Sequence, residues 1–177
     1  MKIYGVKTPK SFRKMECTEL YNQSPTTDIS ISCVSIDSST FSKFMSYDDK
    51  GDSICNAMGQ PLQIHYFRTD SLISFHANCY AKGGIGKLDW NVYNRFETFP
   101  PNTVPFSELK QDKSFPEFLK TTTRKEYQIV LFWTQLLEKQ AANLVQLVVD
   151  HIKSNNAQAK VELILVNTDD YFKKTSF

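Results

Sequence analysis

Apolar residues run unbroken from Ile129 to Trp133, the pattern of a strand covered on both faces. From Glu138 to Ser154 the pattern changes to a helical period. Ala141, Leu144, Val145, Val148 and Ile152 recur at three- and four-residue steps and line one face. Glu138 at the start and Lys153 at the end complement the helix dipole, and Ser154-Asn155-Asn156 breaks the helix. Val161–Val166 then supplies another strand. Strand, helix and strand with short joints predict parallel strands joined by a right-handed crossover.

A second unit precedes this one. Leu62–Phe67 and Leu72–Cys79 flank Arg68-Thr69-Asp70-Ser71, which predicts a hairpin with a four-residue turn. Pairing Phe67 with Leu72 sorts Leu62, Ile64, Tyr66, Ile73, Phe75 and Ala77 onto one face. Gln63, His65, Ser74 and His76 then share the other, mostly polar face. Pro61 stands at the start of the first strand, where its missing N–H does no harm.

Nearer the N-terminus, Ile29–Ile36 alternates as a strand does. A short helix over Ser38–Met45 is predicted, capped by Asp37 or Ser38. Residues 47–59 are turn-rich, and 83–113 read as a packed connecting loop because they carry Trp90, Tyr93, Phe96 and Phe99. A helix beginning at Phe106 or Ser114 is predicted to end at Leu119. The expectation is one α/β domain over 1–177, with residues 1–28 an N-terminal extension. Its mixed central sheet would carry the β-α-β unit at the C-terminus and the antiparallel hairpin before it.

Composition narrows the function classes. A formal net charge of +2 with no stripe of Lys or Arg argues against a nucleic-acid partner. No apolar stretch approaches the length of a membrane span. Residues 1–9 contain neither an apolar h-region nor a cleavage site. The expectation is therefore a cytoplasmic protein, or a mature chain whose export segment has been removed. The four cysteines (Cys17, Cys33, Cys55 and Cys79) include no C-x-x-C pair. Three pairings are open to them in an oxidising compartment. Buried free thiols are the plainer expectation, since cysteine is among the most often buried residues.

Ile129–Thr134, the helix after it and Val161–Asp169 resemble the central β-α-β of the thioredoxin-like family, in particular its envelope, redoxin-type branch. In that family a strand ending Phe-Trp leads to a reactive C-x-x-C at a helix N-terminus, where the dipole favours a thiolate. The matching stretch is Thr134–Gln140, with Leu137 and Gln140 in place of the cysteines. The resemblance thus implies the fold without the family's redox chemistry. The Pro61 hairpin resembles the family's cis-proline and the two strands that follow it. Here the hairpin precedes the β-α-β unit, so the order is permuted. The chain is also similar to thioredoxin-like lipoproteins of Gram-negative envelopes. Asn78-Cys79-Tyr80-Ala81 or Cys55-Asn56-Ala57 matches their Cys-Asn-Ala-like element, and Val166-Asn167-Thr168-Asp169 their Val-Asn-x-Asp. That likeness implies an envelope or periplasmic location, a lipid anchor on the full-length precursor and an unidentified protein partner. It implies no cofactor.

Several side-chain groups offer chemistry. His65 and His76 fall on one hairpin face, and His76-x-x-Cys79 has metal-ligand spacing. On a regular strand, however, His76 and Cys79 point to opposite faces, so a metal site needs a bulge near Asn78. The expectation is two ordinary surface histidines and no metal. Lys82-Gly83-Gly84-Ile85-Gly86-Lys87 lacks the spacing of a phosphate loop. Asp48–Asp52 lacks the downstream Glu of a calcium loop. Asn167–Asp170 stands just past a parallel strand's carboxyl end, where α/β ligand sites lie, but also suits the capping of a following turn. The reading is a non-catalytic module that binds a protein. One alternative is a thiol-dependent redox enzyme using Cys55 or Cys79; another is a ligand or metal domain on the hairpin's polar face.

Overall fold

The computed structural model describes residues 12–21, 28–45, 61–68, 71–77, 119 and 125–174. The predicted helix before its last residue Leu119, the whole 83–113 loop, Cys55, Cys79, Asp48–Asp52 and Lys82–Lys87 lie outside that set. So does Gln60, whose peptide bond leads into Pro61.

The described residues form a mixed α/β structure around a five-stranded sheet. Its strands are β1 (Ser30–Ser35), β2 (Gln63–Arg68), β3 (Ser71–Ala77), β4 (Tyr127–Trp133) and β5 (Val161–Asn167), in the order β1-β5-β4-β2-β3. β5 is parallel to β1 and β4, with Ile129 beside Leu163 and Trp133 beside Asn167. β4 pairs antiparallel with β2, and β2 antiparallel with β3. All seven residues of β4 are buried, the polar Gln128 among them, as expected of a strand built on the apolar run Ile129–Trp133.

Helix α1 (Ser38–Met45) follows β1, α2 (Glu138–Ser154) joins β4 to β5, and α3 (Asp169–Lys174) follows β5. The α1 cap is Asp37: its Oδ1 accepts from the Thr40 N–H at 2.7 Å and the Ser39 hydroxyl at 2.6 Å. Those bonds hold the Asp37 carboxyl at a pKa of about 2, below the usual carboxylate range. Helix α2 buries the whole predicted stripe, together with Val149 and His151. It ends in a Schellman arrangement. Asn156 is left-handed (φ 52°), its N–H bonds to the Lys153 carbonyl, and the Ala157 N–H bonds to the Ile152 carbonyl, both at 3.0 Å. Asparagine tolerates that conformation better than most residues, which is why the Asn pair stops the helix.

Two layers cover the sheet. On one face α1 and α3 pack their rings over β4: Phe41 stands 6.0 Å from Phe132, 5.1 Å from Tyr171 and 6.2 Å from Phe172. On the other face lie α2 and a 3-10 turn (Cys17–Leu20) that contributes buried Leu20 to the core. Residues 12–21, expected to be part of an extension, are thus packed on the domain.

Three expectations are corrected. The hairpin strands end at Arg68 and restart at Ser71, which shortens the turn to two residues. Phe67 does pair with Leu72, but a register shift at Tyr66/Phe67 sets His65 opposite Phe75 and Ile64 opposite His76. And the polar face of β2 is not at the surface. Gln63 and His65 are each 1% exposed, because β2 is an inner strand between β3 and β4 and both its faces are covered. A hairpin read alone has a solvent face; one inserted into a larger sheet does not.

The cysteines give the fourth correction. Cys17 and Cys33 are not buried free thiols but a disulfide, with a Cα–Cα distance of 6.2 Å, within the usual range. It ties the 3-10 turn to edge strand β1. Cys33 is exposed and Cys17 half-buried.

Candidate functional site

The parallel strands β4 and β5 end side by side, and the chain leaves each through a polar residue. After β4, Thr134 turns the chain into a 3-10 turn (Gln135–Leu137) that runs into α2, its hydroxyl accepting the Leu136 N–H. After β5, Thr168 returns both its N–H and its hydroxyl to the Trp133 carbonyl, at 2.9 and 3.0 Å. These bonds fix the spacing of the two strand ends and set Asp169, the first residue of α3, against Thr134 and Gln135.

Asp169 is buried, and four donors reach its carboxylate. Oδ1 accepts from the Thr134 hydroxyl at 2.7 Å and the Gln135 N–H at 2.8 Å. Oδ2 accepts from Gln135 Nε2 at 2.8 Å and Asn167 Nδ2 at 3.1 Å. Asn167 Oδ1 in turn accepts the Asp169 N–H at 3.0 Å. With two donors on each oxygen, the acceptor positions of the carboxylate are filled by the chain's own groups. Of the two readings of Asn167–Asp170, the capping one describes this geometry: Asp169 holds the 3-10 turn while it opens α3. Asp170 also serves a helix start, accepting the Ser38 N–H at 2.8 Å and the Lys174 ammonium at 2.7 Å. Those bonds lower its pKa, the Lys174 one most.

Gln135 has a second set of partners, 122 residues away in the chain. Its Oε1 accepts the Arg13 N–H at 3.0 Å, and its Nε2 donates to the Arg13 carbonyl at 2.8 Å. A side-chain carboxamide thus pairs with both backbone groups of one residue, as a neighbouring strand would. Arg13 is held further by a two-pronged contact with Glu19, at 3.0 and 2.6 Å, and lies 3.8 Å from Glu138. Residues 12–21 therefore lie as a strap by the carboxyl ends of β4 and β5. Neither Arg13 nor Gln135 stood out in the sequence, because nothing local marks a pairing over so long a separation.

Leu137 and Gln140, the two positions matched to a redox pair, lie where the 3-10 turn passes into α2. Leu137 is a core residue at 1% exposure, and Gln140 is half-buried. Neither side chain can carry a thiolate.

The histidines do not form the pair expected of them. His65 is buried between aromatic rings, 5.4 Å from Phe44 and 5.3 Å from Phe132, with Nε2 and Gln63 Oε1 3.1 Å apart. Burial pushes its pKa down to about 3, so the imidazole is neutral at pH 7. His76 holds the register position opposite Ile64, on the other row of the ladder from His65. The expected juxtaposition of two surface histidines on one face is thus corrected by the one-residue shift in the hairpin and by the burial of β2. Among the described residues no group of three or more His, Cys, Asp or Glu could hold a metal ion. No described helix is long and apolar enough to cross a membrane.

Compared with known proteins, the chain matches no family model, no curated protein and no solved structure.

Proposed function

We propose that the protein is a non-catalytic thioredoxin-like domain. It would act as a protein-interaction or structural module of the cell envelope. The observation that carries this reading is the start of α2. The place that the resemblance assigns to a cysteine pair holds Leu137 and Gln140, and the turn before it is engaged by Arg13 and Asp169. A reactive thiol needs an accessible sulfur at such a helix start. Here there is no sulfur at either position.

Two further features support the reading. β4, α2 and β5 form a parallel β-α-β unit, and the Pro61-led hairpin joins β4 on its other side in antiparallel sense. The resemblance implies that arrangement, with the hairpin moved earlier in the chain. The Cys17–Cys33 disulfide favours an oxidising compartment, in line with export to the envelope.

The test is disulfide reduction of insulin by the full-length chain supplied with a dithiol, beside Cys55→Ser and Cys79→Ser variants. A rate equal to that of the dithiol alone is expected. A faster rate that either substitution abolishes would replace this reading with the lone-cysteine enzyme.

A further inference from the structure

A covalent bond, hydrogen bonds and apolar side-chain contacts hold the strap. Its hydrogen bonds to the body include the two between Arg13 and Gln135. Arg13–Glu19 is an exposed pair within the strap itself, and Arg13–Glu138, at 3.8 Å, joins an exposed guanidinium to a half-buried carboxylate. Such pairs contribute little. Phe12 lies under the Lys173 ammonium at 5.6 Å, Leu20 is buried, and Phe12, Met15 and Tyr21 pack partly buried against the core. Against these stands the conformational entropy of ordering the strap, a cost incurred at every residue. The Cys17–Cys33 bond removes part of that cost by fixing the strap's middle to β1. Cys33 is the exposed partner, so a reductant can approach it without the sheet opening.

We propose that residues 12–21 are a redox-released strap, locked by the Cys17–Cys33 disulfide over the Gln135 carboxamide and freed when a dithiol reduces that bond. The exchange is balanced. A thiolate of the dithiol attacks Cys33 Sγ and forms a mixed disulfide, while Cys17 leaves as a thiolate and takes up a proton. The second thiol of the dithiol loses its proton and attacks the first sulfur, releasing Cys33, which is protonated in turn. Two electrons pass to the protein, and the dithiol becomes a disulfide. Release uncovers a carboxamide whose two polar ends pair with peptide backbone in the locked state. The proposal does not depend on the fold family assigned to the domain.

Hydrogen–deuterium exchange on the full-length chain tests it. The oxidised protein, the same protein in excess dithiothreitol and a Cys17→Ser/Cys33→Ser variant are compared. The double variant separates this bond from any effect on Cys55 or Cys79. The expected result, in both the reduced protein and the variant, is exchange faster by at least about tenfold at the bonded amides Arg13, Glu19 and Tyr21, with β4 and β5 still protected. Unchanged protection in the strap would show that it holds without the bond. Joint loss of protection in strap and sheet would show the bond to be a staple of the whole fold. Either outcome overturns the proposal.

Discussion

Gln135 is bound to Asp169 twice, its backbone N–H to Oδ1 and its side-chain Nε2 to Oδ2, both at 2.8 Å. The two residues lie 34 positions apart, and α2 and β5 separate them in sequence. This contact closes the β-α-β unit at its carboxyl end, and through the other side of the same carboxamide it reaches the strap at Arg13.

Asp169→Asn is therefore expected to be nearly as damaging as Asp169→Ala. An amide nitrogen in the place of Oδ2 would meet Gln135 Nε2 and Asn167 Nδ2, which are both donors. In the opposite amide orientation it would meet the Thr134 hydroxyl and the Gln135 N–H instead. Stranding buried donors costs about 1–3 kcal/mol each, so a total loss of roughly 3 kcal/mol is expected from urea unfolding. In a double-mutant cycle with Gln135→Ala, the pair should couple by about 1–2 kcal/mol. Additive losses would show that the two side chains act independently.

The buried His65 makes stability depend on pH. Its folded pKa, about 3, lies below the ordinary 6.5, so between those values the unfolded chain binds the extra proton. Its contribution is fully present above pH 6.5 and is lost as the pH falls towards 3. At 1.36 kcal/mol per pH unit, this one group should account for roughly 2–3 kcal/mol of loss between pH 7 and pH 4.5. His151, whose pKa burial also lowers, acts in the same direction. The measurement is unfolding free energy against pH for the wild type and for His65→Phe, which keeps a ring against Phe44 and Phe132. The variant's profile should be flatter by that amount; parallel profiles would refute the assignment.

Phe41 joins α1 to α3 and to β4, and it is fully buried. Phe41→Ala should lower stability by about 3–5 kcal/mol, the usual range for an aromatic truncated in a core. Leu147→Ala is the control. Leu147 lies on α2 among the buried stripe's neighbours, yet it is 38% exposed and should cost well under about 1 kcal/mol. Similar losses for the two would mean that the α1–α3 layer contributes little to the fold.

What could be read in the sequence was what local chemistry fixes. The stripe from Ala141 to Ile152 repeats with the helix period, so its face was visible before any partner for it was known. The unbroken run Ile129–Trp133 announced a strand covered on both sides, and Asp37-Ser38 announced a cap at one of those two residues. The Asn155-Asn156 stop follows from the same kind of local preference. The absence of a cysteine pair at Leu137 and Gln140 needed no structure at all.

The tertiary structure decided the rest, because it brought together residues whose interactions leave no local trace. His65 alternates with Ile64 and Tyr66 as a surface residue would, and only the insertion of β2 between β3 and β4 made it a core histidine. A one-residue shift at Tyr66/Phe67 separated it from His76, and hairpin alternation does not reveal such a shift. Four cysteines allowed three pairings; the packing of the 3-10 turn near β1 selected Cys17 with Cys33. Asp169 and Gln135 were polar residues at two strand ends until the parallel pairing of β4 and β5 set those ends side by side. Periodicity and capping are properties of neighbouring residues, whereas burial, register and long-range hydrogen bonds belong to the assembled sheet.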